Sequence, residues 1–295
     1  MNNPNNEMAR GVVFVVLMGI GGALFSGPIV SLLTVSSNRE LYSHIPLIPF
    51  VSLYFAFVGR KTIFADLRWD YVRGLPILAA ALVLYGLGGS VEGHLKEHNY
   101  LSFMMCGLFL WILGSFLFSY GTSAFRRAVF PLLFLVFIIP IPTPILDPFV
   151  RFLQLGSAEF THAIFKVTGV TLHRDGLLFF LPGLTVEVAP QCSGIRSSTA
   201  LFITGIVAGK LFLEKGWARL SLVLCIFPIT MFKNSLRIVM LSLLAVYVDP
   251  RFITGSWLHS SGGIPFFAVG LALMAPVLWG IRKWETKKRR TSLLL

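Results

Sequence analysis

Three residue types that together perform acyl transfer stand in the C-terminal half of this 295-residue chain: a thiol at Cys192, a guanidinium at Arg237 and an imidazole at His259. A thiolate attacks a carbonyl carbon, a fixed cation lowers the thiol pKa or holds the oxyanion, and an imidazole carries the proton to the leaving amine. Cys192 lies in Pro190-Gln191-Cys192-Ser193-Gly194-Ile195-Arg196, where a polar loop turns into a long apolar run. Arg196 follows one helical turn later, so the two side chains share a face. Arg237 sits within an apolar run in Lys233-Asn234-Ser235-Leu236-Arg237. A charge at that depth costs roughly 2.5–3.5 kcal/mol on insertion scales and usually serves a function. Lys233 lies one turn farther from the outer face than Arg237, and the sequence does not resolve its placement. His259 opens the last apolar run, and Gly194, Gly262 and Gly263 leave the backbone open to close approach by a substrate.

Each of these residues also has a plainer reading. Arg196 or Arg237 could pair with an acid such as Glu187 or Asp249, or snorkel to the surface. A single interfacial histidine is often an ordinary polar cap. Cys106 and Cys225 fall inside apolar runs and read as small hydrophobes. Cys192 is different, because no second cysteine on its side of the membrane is available to pair with it. A metal site from His162, His173 and His259 lacks any ligand spacing, so neither metal nor cofactor is expected.

The elements that must position these groups are membrane helices. Apolar residues make up 55% of the chain, charged ones 13%, and phenylalanine occurs 27 times, a composition that points to an all-α integral membrane protein. Runs of about 17–25 apolar residues cross roughly 30 Å of hydrocarbon. Eight candidate spans follow: about 11–34, 45–59, 74–91, 101–120, 128–142, 191–213, 217–248 and 260–281. The first lacks a small-residue cleavage pattern and reads as a retained helix rather than a signal peptide. One polytopic domain, residues 1–295, is the simplest division, with its catalytic half at about 140–281.

Basic residues set the orientation. With the N-terminus cytoplasmic, 16 of the 25 lysines and arginines fall on inner segments, among them Arg60, Lys61, Arg126, Arg127 and the cluster Lys287 to Arg290. All six histidines then lie in outer loops or at outer helix ends. The net charge of +12 follows from topology and attraction to anionic lipid, and nucleic acid is not needed to explain it. Among the outer segments, Pro148 to Val167 suits an amphipathic interfacial helix. Thr171 to Val188, split by Asp175-Gly176 and Pro182-Gly183, suits two or three short strands. Together these would form a small outer-face cap.

The motifs Gln191-Cys192-Ser193-Gly194-Ile195-Arg196 and Asn234-Ser235-Leu236-Arg237-Ile238, with His259 closely followed by Gly262-Gly263, resemble in order and spacing the exosortase and archaeosortase membrane transpeptidases. The stretch from Gly169-Val170 to Pro182-Gly183 and the pair Glu187-Val188 look like the segment that precedes the cysteine in that family. Coverage runs from about Pro140 to Phe267. The commoner family pattern has Glu-Ala before the cysteine, where this chain has Pro190-Gln191. The resemblance implies Cys192 as nucleophile, Arg237 as stabiliser of oxyanion or thiolate, and His259 as third catalytic residue, with Ser193, Gly194, Arg196 and Asn234 in support. It implies substrates secreted with a C-terminal sorting signal of short motif, hydrophobic helix and basic cluster. These would be cut and passed to an envelope acceptor at the outer face of a bacterial cytoplasmic membrane. A transporter or lipid flippase, and a non-catalytic factor for exopolysaccharide export, are the rival classes. The first would show broken-helix pairs in corresponding halves, which the sequence lacks; the second would leave Cys192 dispensable.

Overall fold

A computed structural model describes residues 4–38, 42–189, 195–254 and 263–292. The chain is mostly helical and divides into two compact units, Met1–Leu146 and Asp147–Leu295.

The first unit holds α1 (Pro4–Leu24), α2 (Ser26–Asn38), α3 (Ile48–Val58), α4 (Arg60–Ile63), α5 (Tyr71–Val91), α6 (Glu97–Arg127) and α7 (Val129–Phe134). Its spine is the pair α5 and α6, which pack along their length. Glycines make that packing possible: a methyl group on Gly74 would come within 2.6 Å of the Phe118 Cα, and one on Gly114 within 3.0 Å of the Leu78 backbone nitrogen. Between helices in lipid, where burial from water supplies no drive, such close backbone approach is the main source of attraction. α1 joins the spine through Trp111, whose indole N–H donates to the Leu17 carbonyl at 2.8 Å.

The α5–α6 pair is closed at one end by a polar cluster. α6 breaks its helical geometry at Gly121, with φ +81° and ψ 173°. The extended residues before α5 fill the opening, with Arg68 N–H donating to Tyr120 O at 3.3 Å and Asp70 N–H to Phe118 O at 3.2 Å. Asp70 then caps α5, its carboxylate accepting from the Arg73 backbone N–H at 3.3 Å, the Arg73 guanidinium at 3.1 Å and the Thr122 hydroxyl at 2.5 Å. At the unit's other end the His98 ring bridges two segments. Its Nε2 donates to the Ile141 carbonyl at 2.6 Å, which leaves Nδ1 to accept from the Tyr42 hydroxyl at 2.9 Å.

The second unit takes in most of α8 (Thr143–Thr168), then β1 (His173–Asp175), β2 (Leu178–Leu181), β3 (Leu184–Glu187), α9 (Ile195–Phe212), α10 (Gly216–Tyr247), α11 (Arg251–Thr254) and α12 (Gly263–Ser292). α8 buries a stripe of Leu153, Gln154, Ser157, Ala158, Thr161 and Phe165 at helical spacing, while Phe152, Leu155 and Val167 stay exposed. The strands form an antiparallel meander with His173 opposite Phe180 and Leu178 opposite Glu187. Its two tight turns fall on the expected dipeptides, where Gly176 and Gly183 adopt φ of +58° and +75°. At the base of the unit the buried Glu285 carboxylate of α12 accepts from the Lys215 and Glu214 backbone N–H groups at 2.6 and 3.3 Å, capping the start of α10.

Among the described residues five helices are long and apolar enough to cross a membrane, or six if Val129–Ile138 and Thr143–Thr168 form one broken span. Five of the eight expected stretches thus yield full-length helices. The other three give shorter ones. Pro46 and Pro49 lie at the start of one, and the run beginning at 128 passes into a 3-10 turn, Leu135–Ile138, and ends at Pro140. Two consequences can be measured. Gly121→Ala puts a side chain into a backbone region reserved for glycine and against the Arg68 carbonyl. It should cost about 1–3 kcal/mol and lower the thermal unfolding midpoint of the purified protein. The Thr122 hydroxyl, ahead of Arg73, holds the Asp70 carboxyl below its ordinary value. The stability this cluster contributes is therefore complete above the ordinary carboxylate range and is lost as pH falls through the lowered folded-state value. Asp70→Asn should flatten the acid limb of a melting curve series taken from about pH 7 to pH 3; an unchanged limb would assign the acid sensitivity elsewhere.

Candidate functional site

The candidate site is built on α10. Pro228 lies inside this helix, and beyond it comes a polar row within an otherwise apolar run: Lys233 is 1% exposed, Asn234 1% and Ser235 0%. One turn past Lys233, Arg237 is half-buried. About ten residues, or some 15 Å at 1.5 Å per residue, separate Arg237 from the C-terminal end of α10 at Tyr247.

Two faces of the row are satisfied by different helices. On one side α8 comes close because Gly156, Ser157 and Ala158 are small; a methyl group on Gly156 would strike the Met231 side chain. That proximity lets the Ser235 hydroxyl reach the Ser157 carbonyl at 2.7 Å, sharing its proton with Met231 O at 2.8 Å. The Asn234 amide donates to Ser157 Oγ at 3.2 Å. On the other side Lys233 Nζ donates to Ser197 Oγ at 2.5 Å, in the first turn of α9. The Lys233 stem lies against α12, where a methyl group on Gly270 would come within 3.2 Å of its Cδ. Phe160 packs edge-on against Phe232, while Phe149, Phe152 and Phe202 surround Phe227.

The strands sit beside the next turn of α10. Phe179, Leu181 and Val188 share a buried cluster with Ala158 and Phe165 of α8 and with Ile238 and Val239 of α10. Gln154 fixes the exit of the meander by donating to the Val188 carbonyl at 2.7 Å. Arg174 anchors the meander to α8, donating to Glu159 at 2.7 Å and to His162 Nδ1 at 3.3 Å, with its guanidinium 5.5 Å from the Phe179 ring centre.

Cys192, Ser193, Gly194 and His259 lie outside the described residues, as does the side chain of Arg196. Arg237 and Asn234 are in view, the second buried against α8. Both flanks of the segment carrying Cys192 are also in view, and both reach α10: Val188 on the entering side beside Ile238 and Val239, Ser197 on the leaving side bonded to Lys233. Arg237 stands between these two anchor points on the same helix. Asp249, one of the acids considered for Arg237, accepts the Arg251 backbone N–H at 2.8 Å and so starts α11. Cys106 and Cys225 are half-buried free thiols in α6 and α10. Among the described residues no three histidine, cysteine, aspartate or glutamate side chains come together as metal ligands. Lys233 is the site residue whose role the sequence left blank. The signal for it was present, since a lysine four residues before an intramembrane arginine is too costly to be incidental.

No curated protein and no solved structure matches the chain. A family model described as transmembrane exosortase matches residues 36–276, from the end of the second helix into the last. The apolar helices, the helical build and a match over most of the length agree, and this multi-pass membrane protein belongs to the transmembrane exosortase family.

Proposed function

We propose that the protein is a cysteine transpeptidase that cleaves the C-terminal sorting signal of secreted proteins, with Cys192 as nucleophile. The observation that carries this reading is the bracketing of Arg237. The segment that bears Cys192 enters beside Ile238 and Val239 and leaves at Ser197 against Lys233, on either side of that guanidinium. These contacts bring both flanks of the segment to the stretch of α10 that carries Arg237.

In the proposed reaction the Cys192 thiolate attacks the scissile carbonyl carbon, and the Arg237 guanidinium balances the negative charge, first on sulfur and then on the carbonyl oxygen. The C–N bond breaks as His259 gives a proton to the leaving amine, leaving an acyl thioester on Cys192. An acceptor amine then attacks the thioester carbonyl, loses its proton to His259, and releases the thiolate. The substrate's hydrophobic helix would lie beside the bundle with its basic tail at the cytoplasmic face, so its motif arrives at the outer face. Both termini of the enzyme would be cytoplasmic, in keeping with the basic inner segments.

Four substitutions test this, read by intact mass of a co-expressed secreted protein that carries a motif, a hydrophobic helix and a basic tail. Cys192→Ala should leave the substrate full length in the membrane at undiminished enzyme levels. Arg237→Lys keeps the charge but loses the planar fork, and should slow shortening by about 10²-fold, the usual effect of losing one oxyanion donor. Cys106→Ala and Cys225→Ala should process normally. Equal shortening by wild type and Cys192→Ala would overturn the mechanism and favour an export or assembly role.

A further inference from the structure

We propose that β3 is the docking strand for the substrate: the sorting motif, held extended, adds to the meander as a fourth strand along the free edge of Leu184–Glu187. This rests on the reading of the protein as a transpeptidase that cuts a C-terminal sorting signal. The register settles which backbone groups face that edge. Val188 N–H donates to Leu177 O at 3.0 Å, so Leu177 and Val188 are a hydrogen-bonded pair. Bonded and non-bonded pairs alternate along an antiparallel ladder. Phe179–Val186 and Leu181–Leu184 are then the next bonded pairs, and Leu178–Glu187 and Phe180–Thr185 are non-bonded. The N–H and C=O groups of Thr185 and Glu187 therefore point away from β2, off the edge of the sheet. Among the described residues no hydrogen bond uses them. The opposite edge, β1, turns only Arg174 outward, and that side chain is tied to α8.

The same alternation sorts the side chains. Leu184 and Val186 pack with Phe179 and Leu181 into the cluster shared with α8 and α10, so those helices back the sheet through its buried face. Thr185 and Glu187 are exposed on the other face, beside Phe180, which is 40% exposed. An edge of this kind recognises polypeptide backbone first, because two N–H and two C=O groups at alternate residues match the outward groups of one extended strand. Left bare, it is a liability that proteins usually cover or blunt. Glu187 stands five residues before Cys192, so the edge and the thiol lie within about 18 Å of each other by any path of the chain. A short extended motif covers that distance. A helix or a lipid offers no row of amides to the edge.

The test uses full-length protein in membranes with the co-expressed secreted substrate. Thr185→p-benzoylphenylalanine is combined with Cys192→Ala, which holds the substrate full length. Irradiation should crosslink position 185 to the residues just before the substrate's hydrophobic helix, located by peptide mass mapping. Thr185→Pro and Glu187→Pro, with Cys192 intact, each delete one outward N–H and leave the bonds to β2 in place, an orientation in which an edge strand tolerates proline. Each should slow shortening about tenfold, the upper range for one neutral hydrogen bond, at an unchanged thermal unfolding midpoint. Crosslinks to a second copy of the enzyme, to the substrate's hydrophobic helix alone, or to nothing would overturn the inference. So would normal shortening by both proline variants, or slowing that tracks a lowered midpoint. The crosslink keeps the test open should a proline variant fail to accumulate. Normal shortening by Cys192→Ala would defeat the transpeptidase reading, while the crosslink and the proline variants would still decide whether β3 holds the substrate.

Discussion

Polar side chains placed midway along an apolar helix must find their partners within the protein, because hydrocarbon offers none. In this chain that constraint falls on three consecutive residues of α10. Two helices meet this row from different sides: Ser157 of α8 receives Asn234 and Ser235, and Ser197 of α9 receives Lys233. The positions of α8 and α9 follow from these bonds as much as from packing. Gly156 makes the approach of α8 possible, and Gly270 of α12 leaves room for the Lys233 stem.

The first unit meets the same physical problem with less polarity. Its long helices touch through glycine, and its exposed backbone groups occur where α6 is broken at Gly121 and the Arg68–Asp70 segment takes up the freed carbonyls. The outcome is a rigid spine closed by an Asp70–Thr122–Arg73 cluster. In the second unit, by contrast, α10 bonds to α8 and α9 through its polar row, and Arg174 ties the meander to α8.

Much of this was legible beforehand because it depends on local pattern. The apolar stripe of α8 repeats at helical spacing, and Asp175-Gly176 and Pro182-Gly183 carry the positive-φ glycines that tight turns require, so both elements could be read from a dozen residues each. The motif around Arg237 was visible because charge is rare in such a run. Long-range pairing was not visible. Nothing near Lys233 indicates a serine 36 residues earlier as its acceptor. Gly121 looks like any glycine in an apolar helix until the Arg68 carbonyl is seen against it. The span pattern was also softer than hydropathy suggests, since prolines and a 3-10 turn shorten helices without lowering the apolar content around them.

Glu285 carries a consequence for how the protein is made. It sits among the basic residues of the last helix, yet its carboxylate is spent on the backbone N–H groups at the start of α10, 70 residues earlier in the chain. Translation adds about 5–20 residues per second, so α10 is synthesised several seconds before the group that caps it. During that interval the turn between α9 and α10 lacks this carboxylate. The last helix therefore acts as a latch, closing the turn between α9 and α10 only once Glu285 has been made and has reached it.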